Sequence, residues 1–474
     1  MQFLIFFPTV VLIYFIIPAK YRYLWLLACS YFYYLCRDDS VVLFLIIATV
    51  ITWATGGILD KITDLKLKRA VAISGAIINL LPLIVLKYGH FALGLVNAGI
   101  SFDPLLPAGI SFYIFQSTTY IIDRYRGETE VEKNFLKYAL FVSFFPCILS
   151  GPIERSKNFL IQIDEKQARE KRKGFDPVRC RQGLMYMLWG YFLKLVIVSR
   201  LTILTDNVFS LYKGFKGYLI LVAVFAYSFQ IYCDFAGYSF IAVGCAKIMG
   251  YDITLNFRQP YLAKSVADFW RRWHISLSSW FRDYLYIPLG GNRKGNLRRY
   301  LNIMIVFLLS GLWHGANLTF VFWGFLFGAY QVVGYIIRKK KKTGPLPGEK
   351  GAENGAFGIV LTFVLVTLTW IPFRAQSISE AFDVFVSIFS NYGNTAYGGS
   401  LSGLGLGVNN LLFVIFAVIV LIFTDVMCEK RKCTVATLFE NSPVVYRWGF
   451  YYLLIVMILF SLNLSTTEFL YQKF

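Results

Sequence analysis

The chain has 474 residues, 57% of them hydrophobic and 18% aromatic, and its 16% charged content falls well below the roughly 25% of an ordinary soluble domain. That composition excludes a soluble enzyme, and the continuous apolar runs exclude a transmembrane β-barrel, whose strands alternate in short segments. The net charge of +20, from 47 Lys+Arg against 27 Asp+Glu, points on so apolar a chain to cytoplasmic loops facing anionic lipid and not to nucleic acid.

Apolar runs recur from end to end, among them Phe3–Ile17, Val41–Thr55, Leu219–Tyr227, Ile359–Trp370, Leu411–Thr424 and Tyr451–Leu462. A helix crossing the hydrocarbon core needs about 20 mostly apolar residues, which predicts roughly eleven spans and a few shorter segments that only dip in. The chain therefore reads as an all-α polytopic membrane protein, one integral membrane domain over 1–474, with no soluble domain large enough to fold alone. The opening Met1-Gln2-Phe3 lacks a basic n-region and no small-x-small cleavage site follows, so the first run is expected to be a membrane helix. Basic clusters fall at Lys20–Arg22, Lys61–Arg69, Arg155–Arg181, Arg293–Arg299, Arg338–Lys342 and Lys430–Lys432. Placing all of them in the cytoplasm leaves both termini external.

Along the chain, His90 in "KYGHF" reads as an amphipathic residue at the interface. "PAGISFYIFQ" (Pro107–Gln116) and "LSGPIER" (Leu149–Arg155) carry helix breakers within apolar stretches, which suggests a cavity wall. Tyr138–Ile153 is too short for two crossings and is expected to be re-entrant. Ser156–Arg181 is a polar loop with helical character. In "FQIYCDFAGYS", Asp234 interrupts an apolar run and needs a partner, for which His274 or a nearby arginine is a candidate.

Lys264 to Arg293 reads "KSVADFWRRWHISLSSWFRDYLYIPLGGNR". Trp270, Trp273, Leu277, Trp280, Phe281 and Tyr284 recur at three-and-four spacing, which predicts an amphipathic helix ending at Pro288 and Gly290. His274 lies on the aromatic stripe; Arg271, Arg272, Ser279, Arg282 and Asp283 lie off it. Such a helix either rests at the interface with snorkelling arginines or enters the bundle from the cytoplasmic side and carries His274 inward.

Basic clusters also flank Tyr300–Ile337. As one helix these 38 residues would extend about 57 Å, roughly twice the hydrocarbon thickness, so the run must break and turn back. The breakers are Ser310-Gly311 and Gly315, in "SGLWHGANLTFVFWG". His314 is thus expected at the bend of a broken hairpin, at membrane depth. An ionisable residue there is either a general base or a neutral tether between helices. Gly344–Gly355 reads as a linker, and Asn391–Val408 as an external loop.

Several classes are excluded. The chain has no GxxxxGK[ST] phosphate loop, and "GLGLG" at Gly403–Gly407 is too irregular for a dinucleotide fingerprint. No histidine–carboxylate set has metal spacing, and the eight scattered cysteines form no CxxC pair, so they read as small buried apolar residues.

Taken together, "LPAGISFYIFQSTTYIIDRYRG", "FPCILSGPIER", "YSFQIYCDFAGYSFIAVGCAKIMGY", "NFRQPYLAKSVADFWRRWHISLSSWFRDYLYIPLGGNR" and "LSGLWHGANLTFVFWG" resemble the membrane-bound O-acyltransferase superfamily, in particular its alginate O-acetyltransferase branch. These stretches cover about Leu106 to Tyr330; the ending "EFLYQKF" also looks like a family tail. The resemblance implies a ring of helices around a central tunnel in the cell membrane, with His314 as catalytic base and His274 as its companion. It implies no permanently bound cofactor. Acetyl-coenzyme A or another cytosolic acyl thioester would be the donor, a surface or exopolysaccharide the final acceptor, and an extracytoplasmic SGNH-type protein the partner. Trp273, Trp313, Asn317, Asp234 and Asp283 are then expected along the tunnel, and Arg271, Arg272 and Arg282 at the donor phosphates. D-alanyl transfer to teichoic acid, acylation from a long-chain donor and polysaccharide transport are the alternatives. The "YIPLGGNR" continuation and the length after Arg338 favour acetyl transfer over D-alanyl transfer, and the absence of an internal repeat disfavours a transporter.

Overall fold

A computed structural model describes residues 2–36, 42–95, 106–163, 175–341, 355–390, 401–440 and 442–462. The apolar runs fold as helices because in hydrocarbon each backbone polar group must be satisfied inside its own segment. In the first part of the chain these are α1 (Gln2–Ile16), α2 (Arg22–Leu35), α3 (Val42–Lys61), α4 (Leu65–Leu95), α5 (Ile110–Arg126), α6 (Phe135–Ser143), α7 (Phe145–Ile148), α8 (Ser156–Ile163) and α9 (Pro177–Tyr191). A π-helical turn, Phe192–Val198, joins α9 to α10 (Ser199–Ser210). Then follow α11 (Gly217–Ile248), α12 (Val266–Arg272), α13 (Ile275–Phe281), α14 (Gly295–His314), α15 (Leu318–Lys341), α16 (Ala356–Arg374), α17 (Ile378–Ser390), α18 (Val408–Arg431) and α19 (Val444–Leu459).

Among the described residues, seven helices are long and apolar enough to cross a membrane: α3, α4, the continuous Pro177–Ser210, α11, α15, α16 and α18. Phe3–Ile16 and Val444–Leu459 are apolar but shorter. The expected total of about eleven spans is reached only by adding shorter or more polar helices such as α1, α2, α14 and α19. All but the last residue of the Gly344–Gly355 linker, most of the Asn391–Val408 loop, the middle of Ser156–Arg181 and the "EFLYQKF" ending lie outside the described residues, as does the side chain of His90.

Contacts gather the chain into two compact units, Met1–Met187 with Ser239–Leu255, and Leu188–Tyr238 with Asn256–Phe474. In the first, the Tyr138–Ile153 stretch forms two short buried helices, α6 and α7, broken at Phe144. At 9 and 4 residues neither can span a bilayer, in keeping with a re-entrant segment. The breakers in "PAGISFYIFQ" and "LSGPIER" serve close packing. Gly109, at φ +75°, lies so near the Ile148 carbonyl that any Cβ would collide with it. Gln116 then laces the two segments together, accepting from the Glu154 amide at 3.1 Å and donating to the Phe141 carbonyl. The Glu154 carboxyl is buried, which pushes its pKa up, partly opposed by the hydrogen bond it accepts from the Thr254 amide.

The second unit is built on aromatic side chains. Trp273, Trp323 and Trp370 are almost completely buried, with Trp370 5.1 Å from Trp273 and 5.9 Å from Trp323, ring centre to ring centre. Packed rings of this kind bury large areas while leaving few rotamers to reorganise.

Candidate active site

The predicted break in the Tyr300–Ile337 run is present. Helix α14 ends on His314, and α15 begins at Leu318. Gly315 is extended (φ −167°), and a Cβ on it would run into the Phe320 ring, which explains the small residue after the histidine. Asn317 caps α15 by accepting from the Thr319 amide at 3.0 Å, and its Nδ2 donates to the Gln376 carbonyl at 2.9 Å. Asn317 therefore builds the bend. The two arms lie close because Gly311 faces the Phe320 carbonyl and Gly324 faces the Phe307 carbonyl, with no room for a Cβ at either crossing.

The Lys264–Arg293 segment differs from its sequence pattern. It is not one amphipathic helix: α12 stops at Arg272, and α13 starts at Ile275. His274 sits at the break in the left-handed region (φ 44°, ψ 53°), a conformation costing a non-glycine residue roughly 1–2 kcal/mol. Three-and-four spacing survives on either side, which hides the break from periodicity. The backbone groups released there are taken up by an extended stretch upstream: the Asn256 carbonyl accepts from the Ile275 amide at 3.0 Å, and the Arg258 amide donates to the Arg272 carbonyl at 3.0 Å.

The two breaks bring the two histidines together, with ring centres 6.4 Å apart. Both are buried, His274 with 0% and His314 with 3% of its surface exposed. Trp313 meets both edge-on, at 5.7 Å from His274 and 5.0 Å from His314. Phe235 stands edge-on to His274 at 4.5 Å; Trp323 and Phe373 enclose His314 at 5.0 and 5.4 Å. Trp273 packs behind this enclosure on Trp370. The result is an aromatic box around two titratable rings.

Beside the box is a cavity of about 440 Å³. Its polar lining is Arg271, Ser278, Ser279, Arg282, Ser310 and Gln331; Ile303, Val306 and Phe307 of α14 form an apolar wall. Ser310 precedes His314 by one helical turn, about 6 Å. The three arginines divide. Arg271 and Arg282 line the cavity, and Arg282 also pairs with Asp283 at 2.8 Å. Arg272, one helical step on from Arg271, is turned instead to Glu429 of α18, which it grips with both terminal nitrogens at 2.7 and 3.0 Å, and to Asp268 at 3.1 Å. These two carboxylates hold it outside the cavity lining.

Asp234 also finds a different partner from those expected. It pairs with Lys194, which the π-helical turn presents to α11. Only 1% of the Asp234 side chain is exposed. Its neighbour Phe235 makes the contact with His274. A lone lysine in "YFLKLVIV" was a readable signal for this pair; the roles of Asn256, Phe373 and Glu429 had none.

The sequence profile described as MBOAT, membrane-bound O-acyltransferase family, matches residues 99–366. The chain belongs to that family. This O-acyltransferase is 36% identical over 404 residues to a probable alginate O-acetylase AlgI of Pseudomonas putida, covering 81% of this chain and 78% of the relative. It is 31% identical over 417 residues to a peptidoglycan O-acetyltransferase of Helicobacter pylori, covering 80% and 77%. A teichoic acid D-alanyltransferase of Bacillus subtilis is 30% identical over 283 residues, covering 56% of this O-acyltransferase and 68% of the relative.

Proposed function

We propose that the protein moves an acetyl group from a cytosolic thioester to a hydroxyl on the far side of the membrane and thereby O-acetylates a cell-surface polysaccharide. The observation that carries this reading is the meeting of two buried imidazoles at two helix breaks, one turn from a cavity lined by Arg271 and Arg282. The relatives named as alginate and peptidoglycan O-acetyltransferases match far more of the chain than those named for D-alanyl transfer, which supports acetyl as the group.

In this mechanism Arg271 and Arg282 bind the phosphates of the donor, acetyl-coenzyme A or a related thioester. The apolar wall of α14 guides the thioester arm toward Ser310, and the aromatic enclosure parts to admit the acetyl group. His314 takes the proton of the acceptor hydroxyl as its oxygen attacks the thioester carbonyl. His274 donates a hydrogen bond to the carbonyl oxygen, where negative charge develops. The carbon–sulfur bond then breaks, and the proton held by His314 passes to the departing sulfur, so that the donor leaves as a free thiol and the imidazole returns to its neutral form. His314 ends α14, where the negative pole of the helix dipole stabilises the imidazolium.

Helix α14 is 20 residues, about 30 Å, so His314 lies up to a full hydrocarbon thickness from the basic end at Arg293–Arg299. That separation suits a donor below and an acceptor above. The reading places the protein in the cell membrane with both termini external. An extracytoplasmic SGNH-type partner then carries the group to the glycan.

The deciding experiment is His314→Ala in cells. Surface-glycan acetyl ester should fall about 10²–10⁴-fold, the range of a lost general base, with membrane levels of the protein unchanged. Undiminished acetylation would refute the enzymatic role of His314. Recovery of D-alanyl in place of acetyl esters in the parent strain would overturn the choice of group.

A further inference from the structure

The αL backbone of His274 is not imposed by a glycine or a proline, so something in the surroundings must hold it. The residues after the break are gripped by one side chain and its own carbonyl. The main-chain oxygen of Asn256 accepts from the Ile275 amide at 3.0 Å, and its side-chain Oδ1 accepts from the Ser276 amide at 3.1 Å. These are the first two residues of α13, directly following the histidine. Two residues beyond Asn256, the Arg258 amide secures the other flank through the Arg272 carbonyl at 3.0 Å. The stretch Asn256–Arg258 thus lies as a splint across the break.

Asn256 is itself only 1% exposed, and its Nδ2 makes no hydrogen bond among the described residues. A buried amide with half its hydrogen-bonding capacity unmet is a poor choice for stability alone. Its distinctive contribution is geometric. Without the Oδ1 acceptor, the Ser276 amide loses its partner and the first turn of α13 is held by the main-chain bonds alone, which loosens the αL backbone of His274 and lets its ring shift within the aromatic box.

We infer that Asn256 is a positioning residue that fixes the backbone of His274 and so aims its imidazole at His314. The inference rests on the proposed role of His274, and the test separates the two. The probe is radiolabelled acetyl-coenzyme A supplied to inverted membrane vesicles, with acetyl ester on the enclosed polysaccharide as readout. His274→Ala alone tests the histidine; unchanged turnover would sink that assignment and, with it, anything acting through it. Given a loss there, Asn256→Ala should lower kcat about 100-fold, the scale of an ångström misplacement, with donor KM within about twofold. In the His274→Ala background the same substitution should change kcat by less than about twofold, because the group it positions is gone. Asn256→Asp keeps the acceptor oxygen and should recover most of the kcat. An equal loss in both backgrounds would overturn the inference, as would full activity of Asn256→Ala. Should Asn256→Ala fail to assemble, Asn256→Asp decides: near-parental kcat supports the role, and a well-folded but inactive variant refutes it.

Discussion

The buried pair Lys194–Asp234 makes a quantitative prediction. Only 13% of the lysine side chain and 1% of the aspartate are exposed, so neither charge is compensated by bulk water. Lys194→Met leaves the carboxylate of Asp234 in place without the ammonium opposite it. Breaking a buried pair from one side costs about 3–5 kcal/mol, whereas replacing both partners by neutral groups of similar shape is close to neutral. Lys194→Met and Asp234→Asn should each destabilise the protein by about that amount, and the double variant should return to within about 1 kcal/mol of the parent. Unfolding in mixed micelles titrated with sodium dodecyl sulfate measures all four corners of the cycle. Because Phe235 follows Asp234 and touches His274, the single variants should also lose turnover that the double variant regains. A double variant as unstable as the two single losses added together would refute the argument, since it would mean that the charges do not compensate one another.

Two further outcomes follow from the site. Arg271→Ala or Arg282→Ala should raise donor KM by about 10–100-fold, the value of a charged hydrogen bond, whereas Arg272→Ala should leave donor KM alone and lower thermal stability; donor titrations in membrane vesicles distinguish them. Gly311→Val drives a side chain into the Phe320 carbonyl. It should cost about 1–3 kcal/mol of stability and reduce turnover by shifting His314, and a variant with parental melting and rate would contradict the close approach of α14 and α15.

The membrane-spanning class, the break at His314 and its placement at the end of a helix were legible in the amino-acid sequence. Each depends on local quantities: hydropathy summed over a run, the length a helix can occupy within hydrocarbon, and glycines clustered where the chain has to turn. The motifs around His274 and His314 also marked the two rings as a pair. What local quantities could not reveal was how the rings are held. The hydrogen bond from Asn256 to the residues after His274 spans 20 positions, the Lys194–Asp234 pair 40, and the Arg272–Glu429 clamp 157. Apolar spacing is the same on both sides of the His274 break, so it could not signal a change of backbone direction imposed by a partner far away in the chain. Likewise, three arginines of identical chemistry within twelve residues meet different surroundings only through tertiary packing: Arg271 and Arg282 line the cavity, whereas Arg272 is drawn to Glu429 in a distant helix.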